Sequence, residues 1–318
     1  MVDRTARLQD PAENPDVVFF GDSTYFCLRP SLVSDSLGAD VSAVNQAWPA
    51  MGMDAWELML ESYVWGKGRP PRLIVASFTT DAITLPAESN ESGRHEILRS
   101  RAFASFAAIP TLRTILAAGR YGYAWLYFRD LAMPPSMTYR AGIKRGAESI
   151  LREGVWPSPS GNQARWYSEY ASSGSWVLFE KREFSPAAME EALLAFPRRP
   201  VDDPAIIAYY FRFLDRAKEL GIPVFIVTTP LPEVVMDYYQ EHGILAAYQA
   251  RVEQILARYP NVAFSSALPP RYPNELFSDS SHLNRAGTDR YESDFRDILG
   301  RLARETGWSR EQPTVPRP

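Results

Sequence analysis

Three residues in this chain are of the types that acyl transfer requires: Ser23 near one end, and Asp279 and His282 near the other. A serine hydroxyl is a weak nucleophile until an imidazole takes its proton. The imidazole in turn needs a carboxylate to fix its tautomer and stabilise its cation. Asp279 and His282 stand in one short D-S-S-H run, a spacing that suits a tight loop in which the carboxylate turns back onto Nδ1 and leaves Nε2 free. Ser23 must then be delivered to Nε2 by the fold.

Each half of the signal has a bland reading. Gly21, Asp22 and Ser23 are ordinary turn residues and occur together for conformational reasons. D-x-x-H arises often by chance, and His282 then reads as a loop histidine satisfied by its own turn. Context shifts the balance. The run from Asp16 to Gly21 is a short apolar stretch, predicted to be a fully buried strand, and Ser23 falls at its end, where α/β enzymes present ligand-binding groups.

At these residues the chain resembles the SGNH/GDSL hydrolase superfamily, which carries its nucleophile in G-D-S and its acid and base in a C-terminal D-x-x-H. The resemblance covers most of the chain outside residues 89–202. It implies oxyanion donors at the Ser23 backbone, at a glycine after the second strand and at an asparagine after the third. Val44, Asn45, Gln46 and Ala47, followed by Met51 and Gly52, place Gly52 at the first of these turns and Asn45 beside the substrate. Thr80 stands where the asparagine is expected. A run from Asp279 to Gly287 of the form D-x-x-H-L-N-x-x-G also resembles the branch of alginate O-acetyltransferase-like and D-alanyl transfer accessory-like proteins. Trp48 lies between the second strand and Gly52 and reads either as the floor of a sugar or acyl subsite or as a core tryptophan.

The elements that must position these groups alternate. Strands are predicted near 16–21, 41–46 and 72–78, with helix-like stretches at 25–37 and 51–66 between them, a pattern of βαβ units and a parallel sheet. The pattern resumes with a helix over 204–220 ending at Gly221, a strand over 223–228, a helix over 233–258, a strand over 262–267 and a final helix over 285–304. The expected fold is therefore three-layer α/β/α with a mainly parallel sheet, flavodoxin-like as the resemblance implies. Residues 1–88 and 203–305 form its two halves, 89–202 a largely helical insertion, and 306–318 a disordered tail.

Composition bounds the rest. With 318 residues, 46% of them apolar, the chain can bury a sizeable core. A single cysteine, Cys27, excludes an internal disulfide and a cysteine-based metal site, and His95, His242 and His282 lack zinc-type spacing. A triad needs neither metal nor cofactor. Cys27 reads as a small buried residue rather than a second nucleophile. Residues 1–14 are charged and polar with no apolar run resembling a signal peptide or a membrane span. The expectation is a soluble chain, cytoplasmic if complete and extracytoplasmic if it is an excised domain.

Between Arg94 and Arg152 ten Arg/Lys face three Asp/Glu, in a chain whose net charge is −4. Aromatics interleave them, among them Phe103, Phe106, Tyr121, Tyr123, Trp125, Tyr127, Phe128 and Tyr139. Such a stretch reads either as a surface for a membrane face, a membrane protein or an anionic polymer, or as a helical cap with solvated arginines. Arg113, Arg120 and Arg129 interrupt any window long enough to span a bilayer. An acidic overall balance with no recognition motif argues against nucleic acid as a partner. The expected activity is hydrolysis of an O-acyl ester of a small molecule or carbohydrate. Transfer of the acyl group within a cell-surface polysaccharide system is the alternative, and a non-catalytic carbohydrate- or partner-binding domain is the alternative of another class.

Overall fold

The computed structural model describes residues 15–25, 27–47, 56, 60, 70–79, 185–194, 196–200 and 204–309. Its centre is a five-stranded, wholly parallel sheet in the order β2-β1-β3-β4-β6, built from β1 (Val17–Phe20), β2 (Ala43–Asn45), β3 (Leu73–Ala76), β4 (Val224–Ile226) and β6 (Val262–Phe264). Runs such as Val17–Phe20 and Leu73–Ala76 are apolar at every position because the sheet is covered on both faces. In-register pairing of Val18 with Val44 and Ile74 aligns the pleats of the three strands around β1.

Alternation of side chains sorts the core into two layers. On one face Val18, Phe20, Ile74, Ala76, Val224 and Ile226 pack against α3 (Pro204–Glu219) and α5 (Ile244–Arg258), chiefly through Phe213, Leu214, Val252 and Ile255, with Trp56 and Leu60 alongside. On the other, Val17, Phe19, Leu73, Val75 and Phe225 meet α1 (Ser31–Leu37) and α6 (Arg285–Thr306) through Leu32, Val33, Phe295 and Leu299. A smaller cluster joins α2 (Pro186–Leu194) to α4 (Glu233–Glu241) through Met189, Val235 and Tyr239, beside the short parallel pair β5 (Leu231–Pro232) and β7 (Arg271–Tyr272). The fold is thus α/β with helices on both faces of the sheet.

Three expectations change. The helix expected over 25–37 begins only at Ser31, because Pro30 disfavours helical geometry at Arg29 and the preceding residues are spent on turns, with Tyr25 N–H donating to Asp22 O and Leu28 N–H to Tyr25 O. The single helix expected over 233–258 is two, broken at Gly243, whose φ of 71° is left-handed. Trp308, expected in a terminal tail, is buried against the α6 layer and its Nε1–H donates to Arg72 O at 3.3 Å. Of the expected insertion over 89–202, only α2 and its immediate surroundings are described; the basic stretch over 94–152 lies outside the described residues, as does most of the helix expected over 51–66. Among the described residues no helix is long and apolar enough to cross a membrane.

Candidate active site

Ser23 sits just past the C-terminal end of β1. Here the sheet order turns: β2 lies on one side of β1 and β3 on the other, the switch point at which open α/β sheets form crevices. The loop holding it is built by its neighbours. Asp22 Oδ1 accepts from Thr24 N–H at 2.8 Å and from Thr24 Oγ1–H at 2.7 Å, an Asx turn that bends the chain at the serine. Gly21 is required by close approach rather than by backbone freedom, since a Cβ there would lie 2.4 Å from Tyr25 Cβ.

Tyr25 anchors the turn to the sheet. Its one hydroxyl proton is shared between Ala76 O at 3.2 Å, at the end of β3, and Val227 O, just past β4. Burial raises its pKa well above the usual phenol value, so it remains a donor. Asn45 was expected as a substrate contact. Its side chain is fully enclosed and committed to the protein instead: Nδ2 donates to Tyr25 O at 2.9 Å and Leu28 O at 2.8 Å, while Oδ1 accepts from Ala47 N–H at 2.8 Å. Its place is to brace the Ser23 loop. Cys27 is also buried, and its thiol is pushed up to about 12 by burial first and then by the charge of Glu292, which keeps it protonated and unreactive.

The second half of the site is a loop closed at its neck. Phe277 and Leu283 form an antiparallel bridge, with Ser278 N–H donating to His282 O at 2.8 Å and Asn284 N–H to Leu276 O at 3.0 Å. Asn284 then caps α6 by accepting from Gly287 N–H at 3.1 Å. The glycine is needed here too: a Cβ on Gly287 would lie 2.1 Å from Leu276 O. The L-N-x-x-G part of the motif therefore has a mechanical role, seating α6 hard against the neck of the loop.

Inside that loop Asp279 Oδ1 accepts the backbone N–H of Ser281 at 2.9 Å and of His282 at 2.8 Å. His282 Nδ1 lies 3.0 Å from Oδ1 and 2.9 Å from Oδ2 of the same carboxylate. Burial alone would push the Asp279 carboxyl up. The hydrogen bond and charge of His282, with the two backbone N–H groups, outweigh it and hold the pKa below the usual carboxylate value. The ionised carboxylate thus fixes the proton on Nδ1. On the opposite side of the ring, Nε2 lies 2.7 Å from Ser23 Oγ, in position to accept the hydroxyl proton. The fold brings Ser23, His282 and Asp279 into one hydrogen-bonded series, although 259 residues separate the first two.

Gly52, Thr80 and Trp48 lie outside the described residues. Among the described residues no group of three or more His, Cys, Asp and Glu side chains is arranged to hold a metal ion. Sequence reasoning missed Tyr25 and the bracing use of Asn45. Only the Asx turn of Asp22 had a local signal, a carboxylate two residues ahead of a backbone donor.

No protein-family model and no curated protein matches this chain. A solved structure from Streptococcus pneumonia, described as that of a candidate platelet activating factor, is similar over 94% of this chain and 91% of its own, at 12% identity and a TM-score of 0.38.

Proposed function

We propose that this protein is a serine-dependent ester hydrolase of the SGNH/GDSL type. The observation that carries the reading is the 2.7 Å separation of His282 Nε2 and Ser23 Oγ in a ring whose Nδ1 is held by Asp279. Ser23 Oγ attacks the ester carbonyl carbon as Nε2 takes its proton. The tetrahedral intermediate collapses, the C–O bond to the alcohol breaks, and the imidazolium returns the proton to the leaving oxygen. Water then attacks the acyl-serine with Nε2 again as base, the carboxylic acid leaves, and Ser23 recovers its proton. Asp279 stays ionised throughout and stabilises the imidazolium. The backbone N–H groups of Ser23 and Gly52, with Thr80, are the proposed oxyanion donors.

A sugar hydroxyl in place of water would make the same acyl-enzyme a transferase. The D-x-x-H-L-N-x-x-G run and the threonine at position 80 favour keeping that acceptor in view. The deciding experiment is labelling with a fluorophosphonate, which reacts only with an activated serine. Stoichiometric labelling that disappears in Ser23→Ala supports the reading, together with Ser23-dependent hydrolysis of a short activated ester. A parent protein that takes no label would point instead to a binding domain that retains the loop sequence without its reactivity.

A further inference from the structure

We propose that Arg29 and Glu292 form a positioning pair that sets the Ser23–His282 distance, a role that rests on the esterase reading above. The two reacting side chains belong to separate segments. One is the loop from Gly21 to Pro30, held by the Asp22 turn within it, by Tyr25 donating to Ala76 O of the sheet and by Asn45 of β2 donating to Tyr25 O. The other is the 277–283 loop, which is fused to α6 by its bridge, by the Asn284 cap and by the seating of Gly287 on Leu276. Whatever holds the Ser23 loop against α6 therefore holds oxygen to nitrogen.

Apolar contact adds to this, with Phe295 of α6 edge-on to Tyr25 of the loop at 6.2 Å and to Phe19 of β1 at 5.6 Å. Such packing holds α6 close to the loop. The Arg29–Glu292 contact adds a charged, two-point grip to it. Arg29 Nε–H donates to Oε1 at 2.8 Å and to Oε2 at 3.0 Å, and Nη2–H donates to Oε2, so a planar fork grips both carboxylate oxygens. Glu292 sits about two turns into α6. Only 5% of it is exposed, so its charge is compensated within the protein and cannot easily slide away from its partner. A misplacement of about 1 Å at a reacting centre costs roughly a hundredfold in rate, less than one residue's rise along a helix. A directional tie at this point is therefore one that catalysis would feel.

The test uses the full-length protein, a small activated ester and a fluorophosphonate, on Arg29→Lys, Arg29→Met, Glu292→Gln and the double variant Arg29→Met/Glu292→Leu, beside Ser23→Ala. Arg29→Met and Glu292→Gln should lower kcat and the second-order rate of Ser23 labelling by about tenfold to a hundredfold, with KM changed less than about twofold. Arg29→Lys, which keeps the charge but loses the fork, should fall between them and the parent. The double variant removes the stranded buried charge, so its melting temperature should recover toward the parent while its labelling rate stays low. Parent-like labelling in all the folded variants would overturn the proposal, and so would a labelling rate that recovers along with the melting temperature in the double variant. Hydrolysis that survives Ser23→Ala would remove the esterase reading, and the positioning role with it.

Discussion

His282 gives Asp279 both its backbone N–H, at 2.8 Å, and its ring Nδ1, at 2.9 Å from Oδ2. One carboxylate thereby fixes the loop's backbone and the imidazole's orientation together, and substitutions there should separate the two effects. Ser23→Ala and His282→Ala should each abolish nearly all esterase activity on a short activated ester without unfolding the protein. Asp279→Asn should retain more of it. Its amide can still accept the backbone N–H groups, but an Nδ2–H facing Nδ1 selects the tautomer whose proton lies on Nε2, where it cannot receive the serine's. A loss of about 10⁴ in kcat is typical of that error. Parent-like activity in Ser23→Ala would be incompatible with this chemistry.

The same carboxylate should leave a signature in acid. Its pKa is lower in the folded protein than the roughly 3.9 of an unfolded aspartate. A depressed carboxyl contributes stability that is fully present above the unfolded value and is lost as pH falls through the folded one. The difference in unfolding free energy between the parent and Asp279→Asn should therefore shrink as the pH drops through and below the ordinary carboxylate range. Denaturant melts at neutral and at acid pH measure it; a difference that is constant or grows toward low pH would contradict the assignment.

Gly287→Ala sets helix propensity against close packing. Alanine in a helix is worth about 1 kcal/mol over glycine. Here its Cβ would meet Leu276 O at 2.1 Å, a backbone atom that cannot rotate away, and overpacking of that kind costs roughly 1–3 kcal/mol. The clash should win. The variant should melt lower by a few degrees and lose esterase activity beyond what the melting shift explains, since Leu276 lies at the neck of the Asp279–His282 loop. An Ala variant as stable as the parent would show that α6 is free to back away from Leu276.

Thr80 occupies the position at which the resemblance calls for an asparagine donor. If its hydroxyl helps hold the oxyanion, Thr80→Val should reduce kcat by about a hundredfold with little change in KM, the effect of one lost donor, and Thr80→Asn should restore much of it. An unchanged kcat in the valine variant would place the donors elsewhere.

Much of what could be read in advance is local in sequence, and most of what could not depends on distant partners. β1 and β3 were legible because strands buried on both faces are apolar throughout. The Asp279–His282 contact was legible because it closes within one loop. The break at Gly243 was not, because the apolar periodicity runs on across it and a glycine inside a helix costs only about 1 kcal/mol. Nor could Tyr25, Asn45 or Arg29 be assigned their tasks. Tyr25 reaches carbonyls 51 and 202 residues away and Arg29 a carboxylate 263 away, pairings that exist only once the sheet has ordered its strands. Asn45 was placed beside the substrate by the resemblance at the turn after the second strand; burial in this fold turned it inward.

The basic, aromatic stretch from Arg94 to Arg152 carries an excess of seven positive charges in a chain of net charge −4, and that excess sets the experiment. As a surface for anionic lipid or polymer, it should make the protein cosediment with vesicles rich in anionic lipid, or bind a uronic-acid polysaccharide, at low ionic strength. That binding should weaken steeply as salt approaches physiological strength, where the screening length falls to about 8 Å. Replacing Arg113, Arg120 and Arg129 by Gln should reduce binding while leaving hydrolysis of a small soluble ester intact, because Ser23, His282 and Asp279 lie on other segments. As a cap, the same stretch should show no salt-dependent binding, and the triple variant should melt lower because the arginine stems would be packing on apolar surface. Cosedimentation at low and high salt beside a melting curve separates the two. Absence of binding at low salt would remove the interaction role.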